Sequence, residues 1–298
     1  MFSFVIVNWN GENLIKQCLD SFTRSKFKEF KLYIVDNGSK DNSKLIINEF
    51  KELLDIELIE LDMNYGFAKA NNIGINEAMK DNAKYIITLN NDIEIQEDTL
   101  SNLVEYIEHN KEVDVFQLLM INYYDRSILD SVGMDFNKLL FVTQLGFKDS
   151  VKSLDKYGED IKGACAGAAV YSKKALLDVR ENENEYFDNS FFAYYEDVDL
   201  ALRLNSRGYK TRLVKNAIVY HMHSATGNKN STFKDYYLTR NLFKYLEKNL
   251  DEKTYRNNKK YYYKNTIGRI IRYLKVGNMA GAKAILKGLI DGINEIKK

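Results

Sequence analysis

From the N-terminus, short apolar and β-branched runs alternate with longer segments whose apolar residues recur at helical spacing. FSFVIVN (2–8), KLYIVDN (31–37), IELIEL (56–61) and YIITL (85–89) read as strands. Between them, residues 11–24 put Leu14, Cys18, Leu19 and Phe22 on one helical face, and 41–54 roughly align Leu45, Ile46, Phe50 and Leu53. Helices over 67–80 and 97–109 complete the rhythm. This alternation predicts an α/β fold, a mostly parallel central sheet with helices on both faces. Strands this rich in Val and Ile fit a sheet buried on two sides.

Each of the four strands runs into polar residues. Asn8 and Asn10 follow the first, Asp36, Asn37 and Gly38 the second, and Asn64, Tyr65 and Gly66 the third; Asn90, Asn91 and Asp92 follow the fourth. One such end is an ordinary turn. Four in succession suggest one polar crevice, because open α/β sheets bind ligands beyond the carboxyl ends of their strands. Neither a G-x-G-x-x-G after a strand nor a P-loop is found. The crevice therefore suits a nucleotide held by side chains rather than by a glycine cradle.

The pattern is less regular over 113–162 and carries no readable code for an acceptor. GACAGAAVYS (163–172) is a small-residue stretch entering a strand; small residues allow a close backbone approach, to a ligand or to another segment. YFDNSFFAYYEDVDLALRLNSRGY (186–209) sets Glu196, Asp197 and Asp199 behind a run of aromatics, with Gly208 as a helix stop. IVYHMHSATG (218–227) places His221 and His223 after a strand. Carboxylates with an imidazole can hold a divalent ion, Mg²⁺ preferring oxygens and Mn²⁺ tolerating imidazole. A neighbouring carboxylate can serve as base. His109 reads as helix surface and Trp9 as packing or pocket wall; Tyr194 and Tyr195 line an acceptor site or simply pack.

Composition narrows the partners. The formal net charge of +1 over 298 residues argues against a nucleic-acid binder. Cys18 and Cys165 lie far apart with no metal-type spacing, which fits a reduced, cytoplasmic compartment. The first residues, MFSFVIVNWNGENL, lack the basic start and cleavage site of a signal peptide, and no apolar run approaches the roughly 20 residues that span a bilayer.

Six stretches together carry a resemblance: VIVNWNGENLIKQCLDSF, YIVDNGSKDNS, NYGFAKANNIGI, LNNDIEI, FDNSFFAYYEDVDLALRLNSRGY and VYHMHSATG. In this order, over about 1–245, they resemble the family 2 glycosyltransferases of GT-A fold, in the branch with many rhamnosyltransferases of bacterial surface polysaccharides. The resemblance implies an inverting transfer of a sugar from a nucleoside-diphosphate donor, UDP- or dTDP-linked, to a hydroxyl of a glycan acceptor, lipid-linked in many relatives. It makes Asp92 the last acid of the D-x-D motif, binding Mn²⁺ or Mg²⁺ on the donor diphosphate, with Asn90 standing where the first acid usually is. It places Asp36 at the nucleotide base, Asn8 and Asn10 in the same pocket, and Asn64, Gly66 and Phe67 in the adjoining loop. His221 would complete the metal shell, with His223 as a rival. Asp197 would be the catalytic base, with Glu196 and Asp199 as alternatives; Asp199 could instead pair with Arg203, four residues on. Arg240 and Asn241 match a pair that approaches the diphosphate. The competing classes are a sugar-1-phosphate nucleotidyltransferase and a non-catalytic nucleotide-sugar-binding module. The first usually has a basic, glycine-rich loop where NWNGEN stands, and the second would not need an acid at 197.

The resemblance stops before a tail, 246–298. Residues 251–298 hold twelve Lys/Arg against four Asp/Glu, a formal +8 that leaves −7 on the rest. Ile267, Ile270, Ile271 and Leu274, then Leu286, Leu289, Ile290 and Ile293, repeat helical spacing around a break near Gly277. Two roles stay open for these basic amphipathic helices. One is peripheral contact with the inner face of the cell membrane; the other is packing on the catalytic domain or on a second subunit.

Overall fold

The computed structural model describes residues 2–222 and 232–296. The predicted strands are present as β1 (Phe2–Asn8), β2 (Phe30–Asp36), β3 (Ile56–Glu60) and β4 (Tyr85–Asn90), connected by α1 (Glu12–Arg24), α2 (Ser43–Phe50) and α3 (Gly66–Ala78). A short β5 (Ile93–Ile95) and α4 (Thr99–His109) follow. The stretch expected to be irregular contains β6 (Val115–Asn122), β7 (Leu129–Ser131), β8 (Met134–Phe136), β9 (Val142–Gln144) and β10 (Asp160–Ile161). Next come β11 (Ala168–Ser172), α5 (Lys173–Val179), α6 (Glu196–Ser206) and β12 (Thr211–His221). The C-terminal region folds as α7 (Thr232–Asn249), α8 (Glu252–Lys275) and α9 (Met279–Ile296), the tail taking up the end of α7 and the two helices after it.

The main sheet runs β10-β12-β6-β11-β4-β1-β2-β3, with β5 beside β12 and β7 beside β6. It is mixed rather than mostly parallel. The pairs among β3, β2, β1 and β4 are parallel, as is β6 with β12, but β11 lies antiparallel to both β4 and β6. The path of the chain explains this. A parallel neighbour needs a crossover back to the starting end. Here the chain leaves β6, pairs back on it through β7, and enters β11 from that same end. The excursion 123–167 is thus held at the end of the sheet where the strands of the parallel half terminate.

Alternate residues of β1 feed opposite layers. Phe4 and Ile6 join Leu19 and Phe22 of α1, whereas Val5 joins Ala68 and Ile75 of α3. The expected face of α2 is corrected in part: Phe50 is buried and Ile46 packs against the core as expected, but Leu45 and Leu53 do not. Leu45 and Leu53 are 61% and 69% exposed, and the buried contacts come from Ile47, Phe50 and Leu54. Those three residues share the side turned to β2 and β3, and periodicity alone did not choose between two overlapping apolar stripes. The expected boundary at 245 falls inside α7, whose Phe243, Tyr245 and Leu246 pack with Phe191 and Val198 and with Tyr262 and Leu289 of the last two helices. No helix among the described residues is long and apolar enough to cross a membrane.

Candidate active site

The polar strand ends meet. Asn8 is fully buried at the end of β1; its Nδ2 donates to Asp36 Oδ1 at 3.2 Å and Ser39 Oγ at 3.3 Å, and its Oδ1 accepts from Asn91 Nδ2 at 2.8 Å. One amide thereby joins the ends of β1, β2 and β4. Gly11 must be glycine for this. A Cβ there would sit 2.5 Å from Asn91 Nδ2 and 2.8 Å from Asn8 Oδ1. Asn10 adopts φ 48°, its backbone N–H donating to Ser39 Oγ and its Oδ1 accepting from the Lys40 N–H. Asn37 extends the network to β3. Its Nδ2 donates to Asn64 Oδ1 at 3.0 Å and to the Gly66 carbonyl, while its Oδ1 accepts from the Tyr65 N–H. Asn37 and Asn91 are named in the sequence only among the polar strand ends, without a role of their own, and Ser39 is not named; all are ordinary turn types. Trp9, 46% exposed, stands beside this network, and His109 is exposed at the end of α4.

Asp92 occupies the turn between β4 and β5, and its carbonyl accepts from the Met222 N–H at 2.9 Å. This fixes it against the end of β12, where His221 Nε2 lies 3.1 Å from Asp92 Oδ1. That oxygen is buried, and the imidazole is its charge partner without an aligned hydrogen bond. His221 Nδ1 is 2.7 Å from Asp130 Oδ2, a buried carboxylate on β7 that sequence reading missed. Burial alone would lower the imidazole pKa, but Asp130 and Asp92 outweigh it and raise it to about 10. His223 lies outside the described residues. No group of three or more His, Cys, Asp or Glu able to hold an ion occurs among the described residues. With the Nε2 proton displaced by an ion, Asp92 and His221 would make a set of two, which suits an ion held by one or two protein ligands plus substrate phosphates.

The second carboxylate group opens α6. Just before it, Phe192, Tyr194 and Tyr195 all have positive φ, 66°, 68° and 75°. Such backbone is costly and persists only where neighbours enforce it. Two clamps do so. Asn241 Nδ2 lies 2.8 Å from each of the carbonyls of Phe191, Ala193 and Tyr194. From the other side, the Phe192 carbonyl accepts from the Phe67 and Ala68 N–H groups at the start of α3. Gly66, at φ +83°, allows that approach, since a Cβ would lie 2.5 Å from the Phe192 oxygen.

Asp197 Oδ2 accepts from the Ala166 N–H at 3.3 Å and Oδ1 from the Val198 N–H at 2.8 Å. The next residue, Gly167, gives its carbonyl to the Asn90 N–H at 2.9 Å. The small-residue stretch therefore bridges the Asn90 strand end and the α6 carboxylates. Burial raises the pKa of Asp197, partly offset by the Ala166 and Val198 N–H groups. Burial raises Glu196 well above the carboxylate range, and the charge of Asp197 adds to it; Glu196 Oε2 has no partner among the described residues. Of the two, Asp197 has N–H donors on both oxygens to favour its charged form, whereas burial and the neighbouring charge push Glu196 toward the neutral acid.

Two predicted residues face elsewhere. Asp199, fully buried, accepts from Arg203 Nε, Lys248 Nζ and Asn249 Nδ2 at 2.9–3.0 Å, tying α6 to α7. Arg240 spends its guanidinium on Glu295 of α9, at 2.8 and 3.0 Å, and on the carbonyls of Ser190 and Phe191.

Residues 3–180 match the family described as Glycosyl transferase family 2. The chain belongs to this family. Among curated proteins it is similar to the poly-β-1,6-N-acetyl-D-glucosamine synthase of Staphylococcus aureus (strain MSSA476), 23% identical over 210 residues, covering 70% of this chain and 47% of that protein. The chain spans about half or less of the length of the curated relatives it matches. Among solved structures it is similar to the mannosyltransferase PcManGT from Pyrobaculum calidifontis in complex with GDP-Man and Mn²⁺, at TM-score 0.57 and 14% identity, covering 98% of this chain and 75% of that one. It is also similar to S. aureus TarS 1–349 in complex with UDP-GlcNAc, at TM-score 0.53 and 18% identity, covering 82% and 66%. The family 2 chain has the GT-A fold of these neighbours.

Proposed function

We propose that this protein transfers a hexose from a nucleoside-diphosphate sugar to a hydroxyl of a glycan acceptor, with inversion, in the synthesis of a bacterial cell-surface polysaccharide. The observation that carries the reading is the bridge 166–167, which joins the β4 end near Asp92 to the Asp197 carboxylate. A donor diphosphate at Asp92 and an acceptor hydroxyl at Asp197 would be held on opposite ends of one rigid segment.

In this reading Asn8, Asn10, Asp36, Asn64, Gly66, Phe67 and Asn90 line the nucleotide side. Asp92 and His221 hold a divalent ion, Mn²⁺ or Mg²⁺; when bound, the ion supplies positive charge to the leaving diphosphate. Asp197 accepts the proton of the attacking hydroxyl, its charge kept available by the N–H groups of Ala166 and Val198. Glu196, protonated, keeps the site from carrying two adjacent negative charges. Arg240 reaches the diphosphate only on leaving Glu295.

The sequence resemblance favours a rhamnosyl donor, whereas the similar curated proteins are poly-β-1,6-N-acetyl-D-glucosamine synthases. A panel of UDP-, dTDP- and GDP-linked sugars decides between them by thermal shift with and without Mn²⁺, followed by release of free nucleoside diphosphate. A ligand at 100 times its Kd adds about 2.7 kcal/mol of stability. A chain that no member of the panel stabilises, and that releases no diphosphate, would not be a glycosyltransferase of this type. Release of pyrophosphate would instead indicate nucleotidyl transfer.

The tail, appended to a catalytic unit of about 1–245, is proposed to bring the enzyme to the cytoplasmic face of the membrane, where a lipid-linked acceptor would lie. Ile267, Ile271, Leu274, Leu286 and Ile290 are exposed on α8 and α9, and the tail carries a formal +8.

A further inference from the structure

Asp130 sits in a three-residue strand that is buried throughout. In the antiparallel pair of β6 with β7, Met120 faces Ser131 and Ile121 faces Leu129, so Asp130 is the extra residue of a β-bulge. A bulge re-aims one side chain while the flanking pairs keep their register. Here the Asp130 carboxylate reaches the neighbouring strand end, 2.7 Å from His221 Nδ1. His221 is itself held by pairing on two sides, opposite Asn122 of β6 and Ile93 of β5. Its other nitrogen, Nε2, faces Asp92.

We propose that Asp130 is a positioning residue for the divalent-ion site. It keeps the proton on His221 Nδ1 and fixes the ring, so that Nε2 is presented to the ion beside Asp92. The inference rests on the metal-assisted reading above. An imidazole has two chemically distinct nitrogens, and the hydrogen bond at one decides what the other offers. A carboxylate behind a ligating histidine orients the ring and raises its basicity, and its loss typically weakens metal binding by about 10- to 100-fold. A buried carboxylate is also expensive unless paired, and apolar replacements are often neutral or better. Its position in a bulge aimed at His221 is therefore consistent with a role beyond packing.

The test uses the full chain with UDP and Mn²⁺. Isothermal titration measures Mn²⁺ affinity for the wild type, Asp130→Asn, His221→Gln and the double variant; pulsed EPR reads the imidazole nitrogen on bound Mn²⁺. The expected result is affinity weakened about 10- to 100-fold in Asp130→Asn, with the nitrogen signal reduced. No further loss is expected when Asp130→Asn is added to His221→Gln. Affinity within twofold of wild type in a folded Asp130→Asn overturns the proposal. So does an equal further loss in the His221→Gln background, which would mean general disruption. If the wild type binds no Mn²⁺ with UDP or any other nucleoside diphosphate, the metal reading itself falls and takes this proposal with it. Should Asp130→Asn not fold, long-range ¹H–¹⁵N spectra of the metal-free wild type decide, with His221→Gln giving the assignment. A His221 Nδ1 without a proton then overturns the proposal.

Discussion

At the scale of single residues, two adjacent carboxyl groups sit in different surroundings, which is the ground for the different work proposed for them. Asp197 receives backbone N–H groups on both oxygens, while Glu196 Oε2 receives none among the described residues. Asp197→Asn, which removes the proton acceptor and little else, is expected to lower transfer by about 10²- to 10⁴-fold. Nucleotide-sugar affinity, measured by titration, should stay near wild type. The pH dependence has a definite sign. A base must be ionised, and burial raises the pKa of Asp197, so kcat/KM should rise with pH through a limb above the ordinary carboxylate range near 4. Glu196→Gln should leave that limb in place, because burial and the Asp197 charge already push Glu196 toward its neutral form. A limb that moved with the Gln variant would reverse the assignment. Asp92→Ala should abolish the extra thermal stabilisation that Mn²⁺ gives to a nucleoside-diphosphate complex, and retention of that increment would remove Asp92 from the ion site.

Between elements, the site depends on α6, α7 and the start of α3 being locked together. Asp199 is the centre of one lock, with Lys248, Arg203 and Asn249 around it. Asp199→Ala removes the buried carboxylate shared by Arg203, Lys248 and Asn249, while Arg203 and Lys248 keep Glu181 and Lys248 keeps Asp188; losing such charge-assisted hydrogen bonds costs about 1–3 kcal/mol. Chemical denaturation should show that loss. If Asp199 were the base instead, the variant would keep its stability and lose turnover. Gly66→Ala tests the other lock. It forces a side chain into a left-handed turn and against the Phe192 carbonyl, for about 1–3 kcal/mol of strain. Donor affinity should fall with it if, as proposed, the same loop borders the nucleotide side of the crevice.

For the whole molecule, the tail is built into the core it adjoins. Tyr262 is fully buried and its hydroxyl donates to the Leu139 carbonyl at 2.7 Å; Leu289 packs in the cluster that contains Phe243 and Tyr245. A chain ending at Leu250 should therefore melt well below the full chain, with Phe243 and Tyr245 uncovered, and cannot report cleanly on membrane binding. Substitutions on the outward face can. The 298-residue chain should float with anionic vesicles at low salt, and Ile267→Ser with Ile271→Ser should abolish flotation while leaving the melting temperature nearly unchanged. Flotation unaffected by these substitutions, or absent from the wild type, would remove the tail from the membrane.

The sequence by itself determined the strand–helix rhythm of the first half, the polar residues at four strand ends and the carboxylates that open α6. Each is written in near neighbours: buried strands are continuous apolar runs, helices repeat every three to four residues, and turns need Asn, Asp or Gly. Tertiary structure decided what these residues meet. β11 runs antiparallel because the chain returns from the end where β6 stops, a matter of path that no local pattern records. α2 buries Ile47 rather than Leu45 because the sheet lies on that side. Asp130 was invisible because it looks like any short polar interruption, and it gains meaning only when a bulge aims it at a histidine 91 positions away. Asp199 and Arg240 have the residue types a catalytic site would use, yet their charges are taken up by α7 and α9. Periodicity is a short-range property of the chain; the pairing of buried charges is set by which strands and helices the fold brings side by side.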